Sequence, residues 1–486
     1  MRRDRLQEIL DRIRAGGRAD SEESERLEIK PWPTESSGRS GRPRPDRKRI
    51  DGWTREYAVC FANAKGGELL LGIRDDLKGP DAIEGCSAED LESLKRTVYE
   101  GTRPPLTVEF EVHDLPDGRF LVMVVPESPR VHATTSGRRL RRVGKDCQIV
   151  YPDQDLMLEV AKGGDFTAKH VRGLGLEGID PLEMGRLRDW LSRFRPGTAE
   201  DFAGHEDAEL LATLGLMDQG RPTVAALLLV GRESVLKQHL PQAEVLFLRL
   251  AAEGEPAAAP VSLRCGLLRG IERVWELIQP SNPVTVVREG LFEIPVPAFP
   301  EEVVREALLN ALVHRSYVES DSVNVRVHPD RLEIGSPGGF TGGVTPENIL
   351  THEPVRRNPL LAEAFQQLGV VNRAGIGVDR MFRGLLSLGK PPPAYRGDEH
   401  SVTLIVEGGD FDDRVARLVG RMSQEGHRWT VEELIVLRHL TEHDKINAEE
   451  ASRLWQRTAS ETSRSWRGWR ASSWTNSATD AAPHIA

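Results

Sequence analysis

The sequence predicts an α+β multidomain protein. Three observations carry that expectation. The chain has 486 residues, too many for one ordinary hydrophobic core. Two separate stretches alternate apolar and polar residues as half-buried strands do, each beside a segment with helical periodicity. The stretch between them mixes both patterns and shows no repeat. A hydrophobic content of 39% suffices for globular cores. The formal net charge of −10 argues against a protein that coats nucleic acid over its whole surface, and it leaves room for local basic patches.

The elements follow in order. Residues 1–20 hold an N-terminal helix, because Leu6, Ile9, Leu10 and Ile13 recur at helical spacing before Gly16 and Gly17. Residues 21–155 form the first compact domain. It opens with "SEESERLEIK" (21–30), which runs into a strand, and continues through a Pro-, Gly-, Ser- and Arg-rich loop at 31–49. "DGWTREYAVCFANAKGG" (51–67) reads as a helix closed by glycine, with Trp53, Tyr57 and Phe61 on one face. "ELLLGIRDD" (68–76) reads as a buried strand ending in acids, and "LTVEFEVHDL" with "RFLVMVVPES" as a hairpin pair. Residues 156–290 form a mixed connector. In it "PLEMGRLRDWLSRF" and "LLRGIERVWELI" are helical, while "TVAALLLVGRE" and "AEVLFLRL" look like strands. Residues 291–408 form a second compact α/β unit: a strand at 291–296, a helix through 306–314, then two alternating strands and a glycine turn in "SVNVRVHPDRLEIGSPGGF". Residues 409–486 begin as helix ("VEELIVLRHLTEH") and pass into a serine-rich stretch crowded with Trp455, Trp466, Trp469 and Trp474.

Cys60, Cys86, Cys147 and Cys265 are scattered and form no CxxC pair. Neither a zinc site nor a disulfide framework is expected, and a reducing cytoplasm fits. The charged amphipathic start has no signal-peptide core, and the longest apolar run, "VAALLLV", is far too short to span a membrane. A soluble, cytoplasmic protein is therefore expected.

Chemistry concentrates in a few segments. In "EALLNALVHRSY" (306–317), Glu306, Asn310 and His314 stand at intervals of four and share one face of a helix, while Leu308, Leu309, Leu312 and Val313 are free to pack. That face either meets solvent or looks into a ligand pocket. Downstream, "DRLEIGSPGGF" puts glycines straight after a strand, and "NRAGIGVDRM" puts Gly375 and Gly377 at the mouth of a helix. Glu306 and Asn310 offer oxygen ligands for magnesium, and a Gly-Ile-Gly turn lets backbone N–H groups reach phosphates at a helix start. No GxxxxGK[ST] motif is present, which argues against a helicase motor.

Together these segments resemble the Bergerat-type (GHKL) ATPase module of a bacterial regulator family often labelled RecG-like, and they imply an α/β sandwich that binds ATP and Mg2+. The resemblance implies Glu306 as general base or metal ligand, Asn310 as metal ligand, Gly338 near adenine, and Gly375 and Gly377 near phosphate. One departure stands out. GHKL enzymes place an aspartate before the first glycine turn to accept the adenine amino proton, and here that slot holds Ser336. A neutral hydroxyl makes a bond roughly half as strong as a charged acceptor. Hydrolysis, binding alone and a degenerate pocket kept as scaffold all remain open.

"ESERLEIK" (23–30), "FANAKGGELLLGIRDD" (61–76) and "RRLRRVGKD" (138–146) resemble the Schlafen AlbA-like domain, which implies nucleic-acid binding. Some members of that family are RNA endonucleases. Matched residue by residue, their three carboxylates are Glu23, Glu28 and Asp75, with Lys30 beside them. Clustered carboxylates bind Mg2+ or Mn2+, and a lysine offsets charge on a cleaved phosphate. The plainer alternative is that these are solvated strand ends, or that Glu28 and Lys30 pair. The stretches 39–49 and 130–145 carry six Lys or Arg each, and Arg138, Arg139, Arg141, Arg142 and Lys145 are the candidate phosphate contacts. A solvated charged face is the alternative there.

The resulting expectation is a nucleotide-responsive transcriptional regulator that binds nucleic acid, DNA before RNA, and possible as a homo-oligomer. A metal-dependent Schlafen-type endoribonuclease and a scaffold with a dead ATP pocket are the alternatives. Regulators of this kind end in a winged helix. Here only its first helices are recognisable, so the tail is either a truncated or frameshifted end or a specialised interaction segment.

Overall fold

The structure is a computed structural model. It describes residues 1–35, 44–151, 154, 158–160, 162–171, 173–202, 204–250, 259–370, 377–443, 445–458 and 461–462. The chain is α+β with several sheets, as the sequence predicts. It divides into two compact units, Met1–Gly164 and Asp165–Ala486.

The first unit is built on a four-stranded sheet in the order Leu27–Lys30, Gly67–Leu71, Gly118–Val125, Glu109–Leu115. The first pair is parallel and the others are antiparallel. Period-two alternation decides which helix covers which face. Leu70, Phe120 and Val122 meet Leu6, Ile9, Leu10 and Ile13 of helix Arg3–Arg14. Leu69, Leu71, Leu121 and Met123 meet Ala58, Val59 and Phe61 of helix Arg47–Ala62. The Asp46 carboxylate caps that second helix by accepting from the Arg49 N–H. A separate hairpin, Leu140–Val143 with Asp146–Ile149, carries much of the basic stretch. Cys60 and Cys147 form a disulfide between the second helix and this hairpin. The scattered cysteines had given no reason to expect it, because the residues come within bonding distance only through tertiary packing.

The second unit is organised by a six-stranded sheet in the order Val261–Leu263, Val245–Arg249, Val323–Val327, Arg331–Pro337, Ser401–Glu407, Ala394–Gly397. Two of these strands lie before residue 290. The expected boundary between a connector and a separate α/β unit therefore falls inside one sheet: Val245–Arg249 pairs in parallel with Val323–Val327. The strand near 291–296 is present as Phe292–Pro297, but among the described residues it pairs only with Val284–Glu289 in a hairpin outside the large sheet. "TVAALLLVGRE" is also corrected. Val224–Val230 is a helix, capped by Thr223 and buried on every side. A continuous apolar run cannot tell a buried strand from a buried helix, and the N-cap threonine with two alanines tips it to helix.

Helix Glu301–His314 lies on the strand Arg331–Pro337 and against helix Gly377–Leu386. The C-terminal expectation of helices is met by Asp413–Gln424, Val431–Glu442 and Ala448–Leu454. They enclose a core of Val415, Val419, Leu434 and Trp455 with Phe382 and Leu386 of helix Gly377–Leu386. Trp455 thus belongs to a packed core rather than to a loose tail. Trp466, Trp469 and Trp474 lie outside the described residues. No helix among the described residues is long and apolar enough to cross a membrane.

Candidate functional site

In the second unit a cavity of about 200 Å³ opens between the helix Glu301–His314 and the sheet. Glu306, Asn310 and His314 all line it, so the polar face read from the four-residue spacing looks inward. Ser336, Gly338 and Gly377 line the same cavity. Gly375 lies outside the described residues.

Local structure explains why each residue is where it is. The Glu306 side chain is 3% exposed, and its Oε1 lies 3.0 Å from Arg380 Nη1. Burial raises the Glu306 carboxyl above its usual range, and the Arg380 guanidinium opposes that rise. A Cβ at Gly377 would stand 2.8 Å from Glu306 Oε2, so a side chain there would have to displace this carboxylate. The Asn310 amide is half-buried and has no hydrogen-bond partner among the described residues. Gly338 has φ +89°, and a Cβ there would fall 1.9 Å from Arg357 Nη1. That guanidinium donates to the carbonyls of His314 at 3.1 Å and Gly339 at 2.7 Å, tying the glycine turn to the end of the helix. Burial first, then Arg357 and Arg356, hold the His314 imidazole down at about 4, so it is neutral at pH 7. Arg315 is buried and donates to the Asp321 carbonyl at 2.7 Å while stacking on Tyr317, which makes it an anchor of the helix end.

Sequence reading missed three cationic members of this site. Arg380 was quoted within its motif but given no role, although its place one turn after Gly377 was a usable signal. Arg357 acts on backbone carbonyls, which leaves no pattern in sequence. Arg356 lines the cavity, is exposed and has no ion-pair partner among the described residues.

In the first unit the three carboxylates do converge, and on Lys30. Its Nζ lies 2.5 Å from Asp75 Oδ2, 2.8 Å from Glu28 Oε1 and 3.7 Å from Glu23 Oε1. Burial opposes the Lys30 charge, but the hydrogen bonds to Asp75 and Glu28 outweigh it and hold its pKa above the usual value. Burial, reinforced by Glu28, raises Glu23. Glu28 is buried and fully engaged: Tyr57 Oη donates to Oε1 at 2.7 Å beside Lys30, and Arg142 pairs with Oε2. Among the described residues, no group of three or more His, Cys, Asp or Glu side chains is placed to hold a metal ion.

The basic set divides. Arg142 is corrected from phosphate contact to core ion pair: its side chain is 0% exposed and also donates to the carbonyls of Ser24 and Leu27. Strand alternation buries it, since Leu140 and Arg142 face inward while Arg141 and Val143 face out. Arg138 pairs with Glu56, and Arg139 lies 3.2 Å from Glu159. Arg141 and Lys145 are exposed and have no ion-pair partner among the described residues.

Three family models match separate stretches of the chain. Residues 23–151 match the Schlafen AlbA_2 family model. Residues 320–406 match the recG C-terminal model, HATPase_c_4, which takes in Ser336, Gly338 and Gly377 and begins after Glu306 and Asn310. Residues 155–246 match DUF8451, a domain of unknown function. The crystal structure of the DIP2311 protein from Corynebacterium diphtheriae is similar in fold, with a TM-score of 0.53 and 24% identity over 96% of this chain and 93% of that one. No curated protein matches the chain. The chain joins a Schlafen AlbA_2 domain at 23–151 to a RecG-like HATPase_c_4 domain at 320–406, the domain pair of a nucleic-acid-related, ATP-binding protein.

Proposed function

We propose that the protein is a cytoplasmic DNA-binding transcriptional regulator whose grip on nucleic acid responds to ATP held with Mg2+ in the second unit. The observation that carries this reading is the single cavity shared by Glu306, Asn310, Ser336, Gly338 and Gly377, residues drawn from three separate segments. The donor set fits a nucleotide. Mg2+ is commonly held by one or two protein oxygens plus phosphate oxygens, and Glu306 with the unengaged Asn310 supplies that number. Ser336 would accept from the adenine amino group. The tight turns at Gly338 and Gly377 let backbone approach the ligand, and Gly375 would add to the second turn. Arg356 would supply positive charge for the phosphates. When bound, Mg2+ would neutralise phosphate charge. Arg380 holds Glu306 through Oε1, which would leave Oε2 for the metal.

The first unit would hold nucleic acid through Arg138, Arg139, Arg141 and Lys145. An endoribonuclease is the second reading, favoured by the convergence of Glu23, Glu28 and Asp75. It is weaker because both Glu28 oxygens already have cationic or hydroxyl partners, and a metal would have to displace Lys30. Isothermal calorimetry with ATP and a non-hydrolysable analogue, with and without Mg2+, tests the leading reading. Heat is expected only for adenine nucleotides. Its absence at millimolar nucleotide would leave the cavity as scaffold.

A further inference from the structure

One side of the cavity is covered by the loop that runs from Thr341 to Arg356, with Val344, Ile349, His352 and Val355 in its lining. Three hydrogen bonds fasten this loop to a single residue, Gln456, just beyond helix Ala448–Leu454. Gln456 Nε2 donates to the Pro346 carbonyl at 2.9 Å. The Leu350 N–H donates to Gln456 Oε1 at 2.9 Å. Thr351 Oγ1 donates to the Gln456 carbonyl at 2.8 Å.

The backbone at Gln456 makes this arrangement informative. Its φ is +54°, a conformation that L side chains rarely adopt. It closes helix Ala448–Leu454: its N–H bonds the Arg453 carbonyl at 3.1 Å, and the next N–H, of Arg457, bonds the Ser452 carbonyl at 3.1 Å. Helices that end this way use glycine at this position, which has no Cβ penalty. A glutamine here pays conformational strain that the helix end does not need. Its side chain recovers that cost on the cavity loop. A second contact reinforces the first: Leu350 packs on the C-terminal helical core, and so do Val378 and Tyr395, which also line the cavity.

We propose that Gln456 is a positioning residue for the nucleotide site: it holds the covering loop, so that entry and release of nucleotide require the loop to part from the C-terminal helices. The inference rests on the reading that the cavity takes a nucleotide. Its consequence is a direct mechanical link between cavity and helices, by which ligand occupancy would be felt at residues 413–454.

The discriminating variant is Gln456→Gly in the full chain. Glycine keeps the backbone carbonyl that Thr351 uses, relieves the positive φ, and removes only the two side-chain bonds. A residue that merely capped a helix would be improved by this change, so the melting temperature should hold or rise. Hydrogen exchange of a peptide spanning 344–353 should quicken about tenfold, the effect of losing bonds of ordinary strength. Stopped-flow binding of a methylanthraniloyl-ATP with Mg2+ should show association and release both faster by several-fold. Unchanged exchange in Gln456→Gly would overturn the proposal. So would faster exchange with unaltered nucleotide rates in a protein that binds the probe. If exchange quickens in Gln456→Gly but the wild-type protein never binds the probe, the nucleotide reading fails and the role in nucleotide positioning falls with it, while the loop contact stands.

Discussion

Replacing Arg142 with methionine tests whether the first unit is built around an ion pair. In the native chain the Arg142 side chain is 0% exposed and its partner Glu28 is 5% exposed. Methionine fills similar space but leaves Glu28 with Lys30 and Tyr57 on one oxygen and nothing on the other. It also removes the Arg142 donors that the carbonyls of Ser24 and Leu27 accept at 2.8 and 2.9 Å, leaving them the backbone bonds they make with each other. Breaking a buried pair from one side costs about 3–5 kcal/mol. Lys30 stays in place and offsets part of the exposed charge, so the low end, about 3 kcal/mol, is expected. In a unit of Met1–Gly164, that loss lowers its transition by about 6–12 °C. Differential scanning calorimetry of the full chain would read it as a shift in one transition. Hydrogen exchange at residues 27–30 assigns that transition to the right unit. Arg141→Ala is the companion: it should leave the transition in place and weaken nucleic-acid binding. If Arg142→Met leaves the melting profile unmoved and instead weakens binding as Arg141→Ala does, the buried pair is wrong and Arg142 is a phosphate contact after all.

Gly377→Ala places a methyl group 2.8 Å from Glu306 Oε2 and should displace that carboxylate, weakening Mg2+-dependent nucleotide binding by about tenfold; calorimetry with and without metal separates this from a general loss. His314 stays neutral in the fold down to about 4, whereas the unfolded chain takes a proton near 6.5. Stability from this group is therefore complete above pH 6.5 and is lost as pH falls towards 4, by at most about 3 kcal/mol. Urea titrations of the wild type against His314→Gln across that window should converge as pH drops, and parallel curves would refute the buried neutral imidazole. Glu23→Gln with Asp75→Asn removes negative charge beside the basic hairpin and should tighten nucleic-acid binding while producing no cleavage of RNA in Mg2+ or Mn2+. Metal-dependent cleavage by the wild type that these changes abolish would favour the nuclease instead.

Much of the second unit's cavity was legible because helical spacing is a local property. Glu306, Asn310 and His314 had to share a face wherever the helix lay, and glycines after a strand mark close approach of backbone. What escaped was set at long range. The parallel pairing of Val245–Arg249 with Val323–Val327 erased a boundary that composition seemed to draw near 290. Val224–Val230 lost its strand assignment because a run buried on all sides has no period to read. The Glu28–Arg142 pair joins residues 114 positions apart, and an arginine in a basic run gives no local sign that it points inward. Counting the strand parity from Leu140 would have given that sign. The Cys60–Cys147 disulfide, 87 residues apart, was hidden for the same reason. Gln456 reaches a loop 105 to 110 positions away, and nothing near it in sequence marks it as anything but polar.

Responsiveness to nucleotide is the central claim, and one titration addresses it. Labelled duplex DNA, with structured RNA in parallel, is titrated with the full chain in the presence and absence of ATP and Mg2+, using wild type, Glu306→Ala and Asn310→Ala at fixed salt. ATP with Mg2+ should shift the wild-type DNA affinity by about fivefold or more, the usual scale of coupling between sites, and should leave both variants where they stand without nucleotide. Identical wild-type curves with and without ATP, or the same shift in Glu306→Ala and Asn310→Ala, would contradict it.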